Sequence, residues 1–258
     1  MNKIFEQEKK WLLEEKYNGE KCEAFFADIQ KLERGFPVAY LIGNQPFLNC
    51  VIDLEYKPLI PRNETEFWVN DFIKEQKKLN FAKQNSASKI RILDLFSGSG
   101  CIGIALLKNI KNIKVNFGEI KAENIKQIRK NIKINKLQNR NYQIFHSDIF
   151  KNIPKQKYDF ILSNPPYISY HKKKMVQNSV IENEDKLALF AIDDGLFFIK
   201  KIIIEGKRYL NKDGEIWIEF DSWQKKLIES FLKEQKITKF KFWKDQYEKY
   251  RVLILQYS

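Results

Sequence analysis

Apolar positions recur first at helical and later at strand spacing, and the change of period divides the chain. Residues 3–34 read as two helical segments, with Ile4, Trp11, Leu12 and Leu13 in the first and Ala24, Phe25, Ile29 and Leu32 in the second. Gly35 and Pro37 stop that pattern. Across 39–60, short apolar pieces such as Phe47-Leu48 and Val51-Ile52 are punctuated by Gly43, Pro46 and Pro58, which predicts a β-hairpin connector. Asn63 followed by Glu66 has the form of a capping box, and Phe67, Trp68, Val69, Phe72 and Ile73 supply the buried stripe of the helix behind it. A polar stretch at 83–89 closes that helix.

From residue 90 onward strand-like and helix-like runs alternate, the signature of a mostly parallel α/β sheet. The pattern predicts strands at 90–95, 115–119, 142–145, 158–163 and 215–220, with helices at 101–109, 121–135, 193–210 and 222–235. The last two apolar runs, 239–243 and 250–256, are too close in sequence for a crossover helix, so they form an antiparallel pair at one side of the sheet.

Composition narrows the class. With 258 residues, 43% hydrophobic and 14% aromatic, the chain can bury a sizeable core and is not disordered despite 31% charged residues. No apolar run reaches the roughly 18 residues of a membrane span, and the first ten residues lack a signal peptide's apolar stretch. Cys22, Cys50 and Cys101 form no CxxC pair and no even framework, which fits a reducing compartment and gives the cytoplasm as the expected location. The net charge of +13 is spread along the chain, so a dedicated phosphate-binding face and a generally basic surface both remain open. His146 and His171 are the only histidines and neither has partners at metal-ligand spacing, so no metal is expected.

Two segments carry chemistry. In the first, Ile92-Leu93-Asp94-Leu95-Phe96-Ser97-Gly98-Ser99-Gly100-Cys101-Ile102-Gly103, a buried strand runs through a Gly-rich turn into a helix, whose N-terminal N–H groups face the sheet's carboxyl edge. Glu119 closes the next strand, where a carboxylate can accept from two ribose hydroxyls. A nicotinamide dinucleotide and S-adenosylmethionine both present an adenosine ribose there, and a turn that serves only helix–strand packing is a third reading.

The second segment is a strand, Tyr158-Asp159-Phe160-Ile161-Leu162-Ser163, ending in Asn164-Pro165-Pro166-Tyr167. Two prolines stop the ladder and fix the backbone. The Asn164 side-chain oxygen and the Pro165 carbonyl can then accept both protons of one planar NH₂ group, with Tyr167 against its flat face. Such an amine has its lone pair delocalised, and accepting its protons concentrates electron density on nitrogen for in-line attack on a methyl sulfonium. This decides between the cofactors in favour of S-adenosylmethionine.

With these residues the chain resembles the amino-methylating class of S-adenosylmethionine-dependent methyltransferases, and over nearly its whole length the release factor glutamine methyltransferases, the PrmC/HemK family. The supporting pieces are 35–43, Leu59-Ile60-Pro61-Arg62-Asn63-Glu64-Thr65-Glu66, Leu187-Ala188-Leu189-Phe190 leading to Asp194-Gly195-Leu196, and Glu219 with Gln224. The tetrapeptide at 164–167 is shared with adenine and guanine amino-methylating enzymes, whereas the 59–66 segment is far more specific to the glutamine enzymes.

The resemblance implies a helical N-terminal substrate-docking domain (1–45), a β-hairpin linker (46–63) and a Rossmann-like class I methyltransferase domain (64–258). Its reaction is methylation of the side-chain amide nitrogen of the Gly-Gly-Gln glutamine in class-I peptide chain release factors, with S-adenosyl-L-homocysteine as product. The implied cofactor contacts are Asp94, Phe96, Ser97, Gly98, Ser99, Gly100, Glu119, Asp148, Ile149 and Asn164. The implied substrate contacts are Asn164, Pro165, Pro166 and Tyr167, of which Asn164, Pro165 and Tyr167 carry the chemistry. The chain departs from the family in its short N-terminal domain, in Phe96 for a common Gly, in Asn63 for Pro, in Asp185 for a Glu-Pro pair and in Ala191-Ile192 for Gly-Gly. The rival reaction is methylation of an exocyclic amine of adenine or guanine in RNA or DNA, the base being flipped into the same turn. A non-catalytic binding module is a poorer reading, because both the cofactor loop and the amine-gripping turn are intact.

Overall fold

The computed structural model describes residues 3–82 and 89–257, so most of the polar stretch expected at 83–89 lies outside the described residues. Helices α1 (Lys3–Trp11), continued by a π-helical turn at Leu12–Lys16, α2 (Glu23–Glu33) and α3 (Val38–Ile42) gather around Leu12, Phe25, Leu32 and Leu41. Ile4 and Trp11 are exposed, not buried with that stripe. Trp11, Leu12 and Leu13 are consecutive and so about 100° apart around the helix; they cannot share a face, and Leu12 takes the inward one.

The expected hairpin forms from β1 (Asn44–Phe47) and β2 (Cys50–Asp53), with Leu48 and Asn49 at positive φ in the turn. It is no loose linker. Helix α4 (Asn63–Ala82) begins one residue before the capping box requires, and Glu66 Oε1 accepts the Leu48 N–H at 2.8 Å. The turn's backbone donor has claimed the carboxylate. A capping box does form further on, at Asp221 and Gln224.

Gln127, Asn131 and Asn135 stand four residues apart, the first two on α6 (Ala122–Ile134) and the third just beyond its end, so all three share one face. They read the hairpin's outer edge. Asn135 accepts from Val51 N–H (3.1 Å) and donates to Val51 O (2.8 Å), Asn131 accepts from Asp53 N–H (2.9 Å), and Gln127 accepts from Tyr56 N–H (2.8 Å). Asn131 also donates to Ser99 O at 3.0 Å, which ties the hairpin to the glycine loop. Because the Asn131 side chain is fully buried, Asn131→Ala should destabilise the fold by roughly 1–3 kcal/mol, the cost of leaving backbone groups unpaired. Urea unfolding with an unchanged midpoint would contradict this.

The main sheet contains β3 (Ile90–Leu95), β4 (Ile113–Glu119), β5 (Tyr142–His146), β6 (Tyr158–Ser163), β9 (Leu210–Glu219), β10 (Phe240–Lys244) and β11 (Tyr250–Gln256). Their spatial order is β10-β11-β9-β6-β3-β4-β5, parallel except where β11 pairs with β9 and β10, as the short final connection required. Alternation along each strand sorts side chains between two cores. Ile92, Leu162, Trp217, Val252 and Ile254 join α4, α5 (Cys101–Asn109), α6 and the hairpin on one face. Leu93, Ile161, Ile216, Leu253 and Leu255 join α9 (Phe197–Gly206) and α10 (Lys225–Glu234) on the other.

Between β6 and α9, the two-residue strands β7 (Ile168–Ser169) and β8 (Phe190–Ala191) pair in parallel and enclose the short helices α7 (Asn178–Asn183) and α8 (Lys186–Leu189). The helix expected from 193 starts at Phe197, because Asp193, Asp194 and Gly195 all hold positive φ (58°, 52° and 81°) and cannot continue an α-helix. Likewise β9 starts at Leu210, earlier than the expected 215. Among the described residues no helix is long and apolar enough to cross a membrane, and no cluster of His, Cys, Asp or Glu is grouped to hold a metal ion.

Candidate active site

The chain leaves β3 toward β4 on one side and returns to β6 on the other, which opens a crevice at their carboxyl ends. A cavity of about 200 Å³ occupies it. Ser97 Oγ anchors the glycine loop to Asp94 O (2.8 Å) and Gly118 O (3.2 Å). The buried Glu119 carboxylate accepts Gly98 N–H on Oε2 (2.8 Å) and Lys121 N–H on Oε1 (2.9 Å), and it borders the cavity with lone pairs to spare.

Behind the loop, Asp94 Oδ2 accepts Gly103 N–H at 2.9 Å while Oδ1 has no hydrogen-bond partner among the described residues. Burial lifts this carboxyl to about 7 against the pull of the Gly103 bond, and Glu119 pushes the same way as burial. Two non-glycine cavity residues hold left-handed backbone: Phe96 at φ 60° and Ile149 at φ 51°. Each costs on the order of 1–2 kcal/mol, a strain typical of sites that aim side chains. The φ at Phe96 is one that glycine adopts freely; here phenylalanine adds a wall whose ring meets Phe198 edge-on at 5.1 Å.

On the β6 side, Asn164 and Pro166 line the same cavity. Asn164 Nδ2 donates to Thr65 Oγ1 (3.1 Å); Thr65 Oγ1 and Trp68 Nε1 donate to Glu219 Oε2 (2.7 and 2.8 Å); and the Tyr167 hydroxyl donates to Glu219 Oε1 (3.0 Å). Burial raises the Glu219 carboxyl, opposed by the bonds from Trp68, Thr65 and Tyr167. Gln224 Nε2 staples the turn's exit by donating to Tyr167 O (2.9 Å) and Asp194 O (2.8 Å). Only glycine fits at 195, where a Cβ would stand 2.0 Å from Tyr167 O.

Residues 78–188 match the family described as Methyltransferase small domain. The release factor glutamine methyltransferase of Streptococcus pneumoniae is 34% identical over 94% of this chain and 83% of its own length. The chain belongs to the release factor glutamine methyltransferase family. The protein of that name from Borreliella burgdorferi is 32% identical over 90% of this chain and 77% of its own length. A bifunctional methyltransferase of Rickettsia bellii is 32% identical over 80% of this chain, which spans 40% of that longer protein. Solved structures share the fold at lower identity. The N-terminal domain of human METTL16 in complex with SAH has a TM-score of 0.56 at 19% identity, covering 82% of this chain and 77% of its own. The 16S rRNA N2 G1207 methyltransferase of T. thermophilus has 0.54 at 17%, covering 83% and 50%.

This release factor glutamine methyltransferase family member uses S-adenosylmethionine, and the cavity fits that group. Its edge offers the Glu119 carboxylate for ribose hydroxyls, the apolar Ile60, Ile120 and Ile149 for a flat base, and open space above Gly98, where among the described residues none but Gly98 and its chain neighbours comes within 4 Å of the position a Cβ would take. Of the residues anticipated from sequence, Phe96, Ser97, Gly98, Ser99, Glu119, Asp148, Ile149, Asn164 and Pro166 border the cavity. Asp94 and Gly100 do not; Asp94 buttresses the loop through Gly103, and Gly100 at φ 80° caps α5. Pro165 and Tyr167 also lie outside the wall; the tyrosine hydroxyl is drawn back to Glu219.

Sequence reasoning missed Leu59, Ile60, Arg62 and Thr65 as wall residues, although the 59–66 segment had marked the family. Their signal was the motif itself, which spacing alone gives no role. Arg62 grips both oxygens of the buried Glu184 (2.6 and 2.7 Å) and Lys121 pairs with Asp185 (2.7 Å), so two ion pairs hold the segment bearing Leu187 and Ala188 at the cavity rim. Asp185, where the family has a Glu-Pro pair, also caps α8 by accepting Leu187 N–H at 3.1 Å. The basic run at 172–174 is mostly solvated, with Lys172 placed 3.9 Å over the Trp223 ring.

Proposed function

We propose that this enzyme methylates the side-chain amide nitrogen of the Gly-Gly-Gln glutamine in peptide chain release factors. The observation that carries the reading is that the Asn164 turn and the Glu119 carboxylate open into one cavity, so an amide held by the first meets a cofactor held by the second. Family membership supports the substrate. S-adenosylmethionine, when bound, supplies an electrophilic methyl group on a sulfonium. Glu119 binds the ribose hydroxyls, Phe96 and the loop to Gly100 hold the amino-acid portion, and Asp148 with Ile149 holds the base. Asn164 Oδ1 and the Pro165 carbonyl, which no protein donor occupies among the described residues, accept the amide's two protons and concentrate the lone pair on nitrogen. The nitrogen sheds its extra proton after attack, so positioning in a dry pocket supplies most of the rate.

The 1–45 segment serves release factor docking in this reading, 46–63 is the linker that carries most of the hairpin, and 64–258 carries the chemistry. The cytoplasm is the compartment such a substrate implies. Labelled S-adenosylmethionine should be incubated with the enzyme and either a release factor or bulk RNA, followed by mapping of the label. Label on the Gly-Gly-Gln peptide is expected. Label confined to RNA would overturn the reading in favour of an exocyclic base amine.

A further inference from the structure

We infer that Thr65 and Glu219 are positioning residues that set the polarity of the Asn164 amide, so that the cavity presents a hydrogen-bond acceptor and takes a substrate nitrogen carrying N–H donors. The inference rests on the proposed methylation of an amide and names what selects that group. Its starting point is Trp68, whose indole N–H can only donate. Because Trp68 Nε1 lies 2.8 Å from Glu219 Oε2, that oxygen is an acceptor. Thr65 Oγ1 lies 2.7 Å from the same oxygen and has one hydrogen, which is therefore spent on Glu219.

What Thr65 offers Asn164 is then a lone pair. The group facing it at 3.1 Å must donate, and this is the Asn164 NH₂. An inverted amide would bring Oδ1 against the hydroxyl oxygen with no proton between them. Oδ1 thus takes the other side of the amide, where no protein donor occupies it among the described residues, on a side chain that lines the cavity. Tyr167 completes the clamp by donating to Glu219 Oε1, which holds the carboxylate plane from the opposite side at 3.0 Å. Glu219 is 1% exposed and Trp68 is 1% exposed, so water does not compete for these bonds. An acceptor at that spot welcomes a glutamine NH₂ and repels a glutamate oxygen in the same loop.

The test pairs two readouts. In ¹⁵N-labelled enzyme, the Asn164 side-chain NH₂ signals, identified by their loss in Asn164→Ala, should exchange slowly with solvent. Thr65→Val, nearly isosteric but without a hydroxyl, should speed that exchange and lower single-turnover methylation of a release factor roughly tenfold or more. Its affinity for S-adenosylmethionine should stay within about threefold of the unaltered enzyme. Thr65→Ser should restore both readouts. Wild-type exchange and turnover in Thr65→Val would overturn the inference, as would equal losses in Thr65→Val and Thr65→Ser. If the unaltered enzyme leaves the release factor unlabelled, the proposed substrate falls, while the exchange measurement still decides the polarity of Asn164.

Discussion

Asn164→Ala is expected to lower turnover about a hundredfold, about 2.7 kcal/mol in the barrier, while cofactor affinity stays near that of the unaltered enzyme. The reason is geometric. Pro165 and Pro166 still fix the turn, and Gln224 still staples its exit through Tyr167 O and Asp194 O, so the backbone persists when the side chain is removed. What disappears is one of two acceptors that orient the reacting nitrogen. An interaction that tightens as the nitrogen rehybridises acts on turnover more than on ground-state binding. Single-turnover methylation at the unaltered rate would remove Asn164 from the chemistry.

Glu119→Ala should weaken S-adenosylmethionine binding by about 2–4 kcal/mol, thirtyfold to several hundredfold in Kd, from the loss of charge-assisted bonds to two ribose hydroxyls. The carboxylate also joins two loops, accepting from Gly98 N–H and Lys121 N–H, so its removal slackens the glycine loop as well. Glu119→Gln separates the two effects. Its single carbonyl oxygen can keep only one of the backbone donors, so binding should fall between the two extremes. Calorimetric titration of Glu119→Ala with unchanged affinity would exclude this carboxylate from the ribose site.

The chain's local chemistry determined the parallel sheet, the strand–glycine loop–helix segment at 90–109 and the antiparallel closing pair, because strand and helix periods and glycine positions act over a few residues and leave their mark in order. The proline turn at 164–167 was legible for the same reason: two prolines constrain the backbone wherever they stand. The tertiary structure decided what depends on partners far apart in sequence. Thr65 meets Asn164 and Glu219 across more than ninety positions, and Arg62 meets Glu184 across 122. The Gln127, Asn131 and Asn135 ladder reads as an ordinary polar helix face until the hairpin edge lies against it. Likewise Glu66 looked like a cap because capping needs only neighbours three residues away, yet a half-buried N–H of the hairpin turn claimed its carboxylate. Local signals fix which element forms; once that surface is buried, each polar group takes whichever partner leaves no donor or acceptor stranded, and only the packed chain brings that partner within reach.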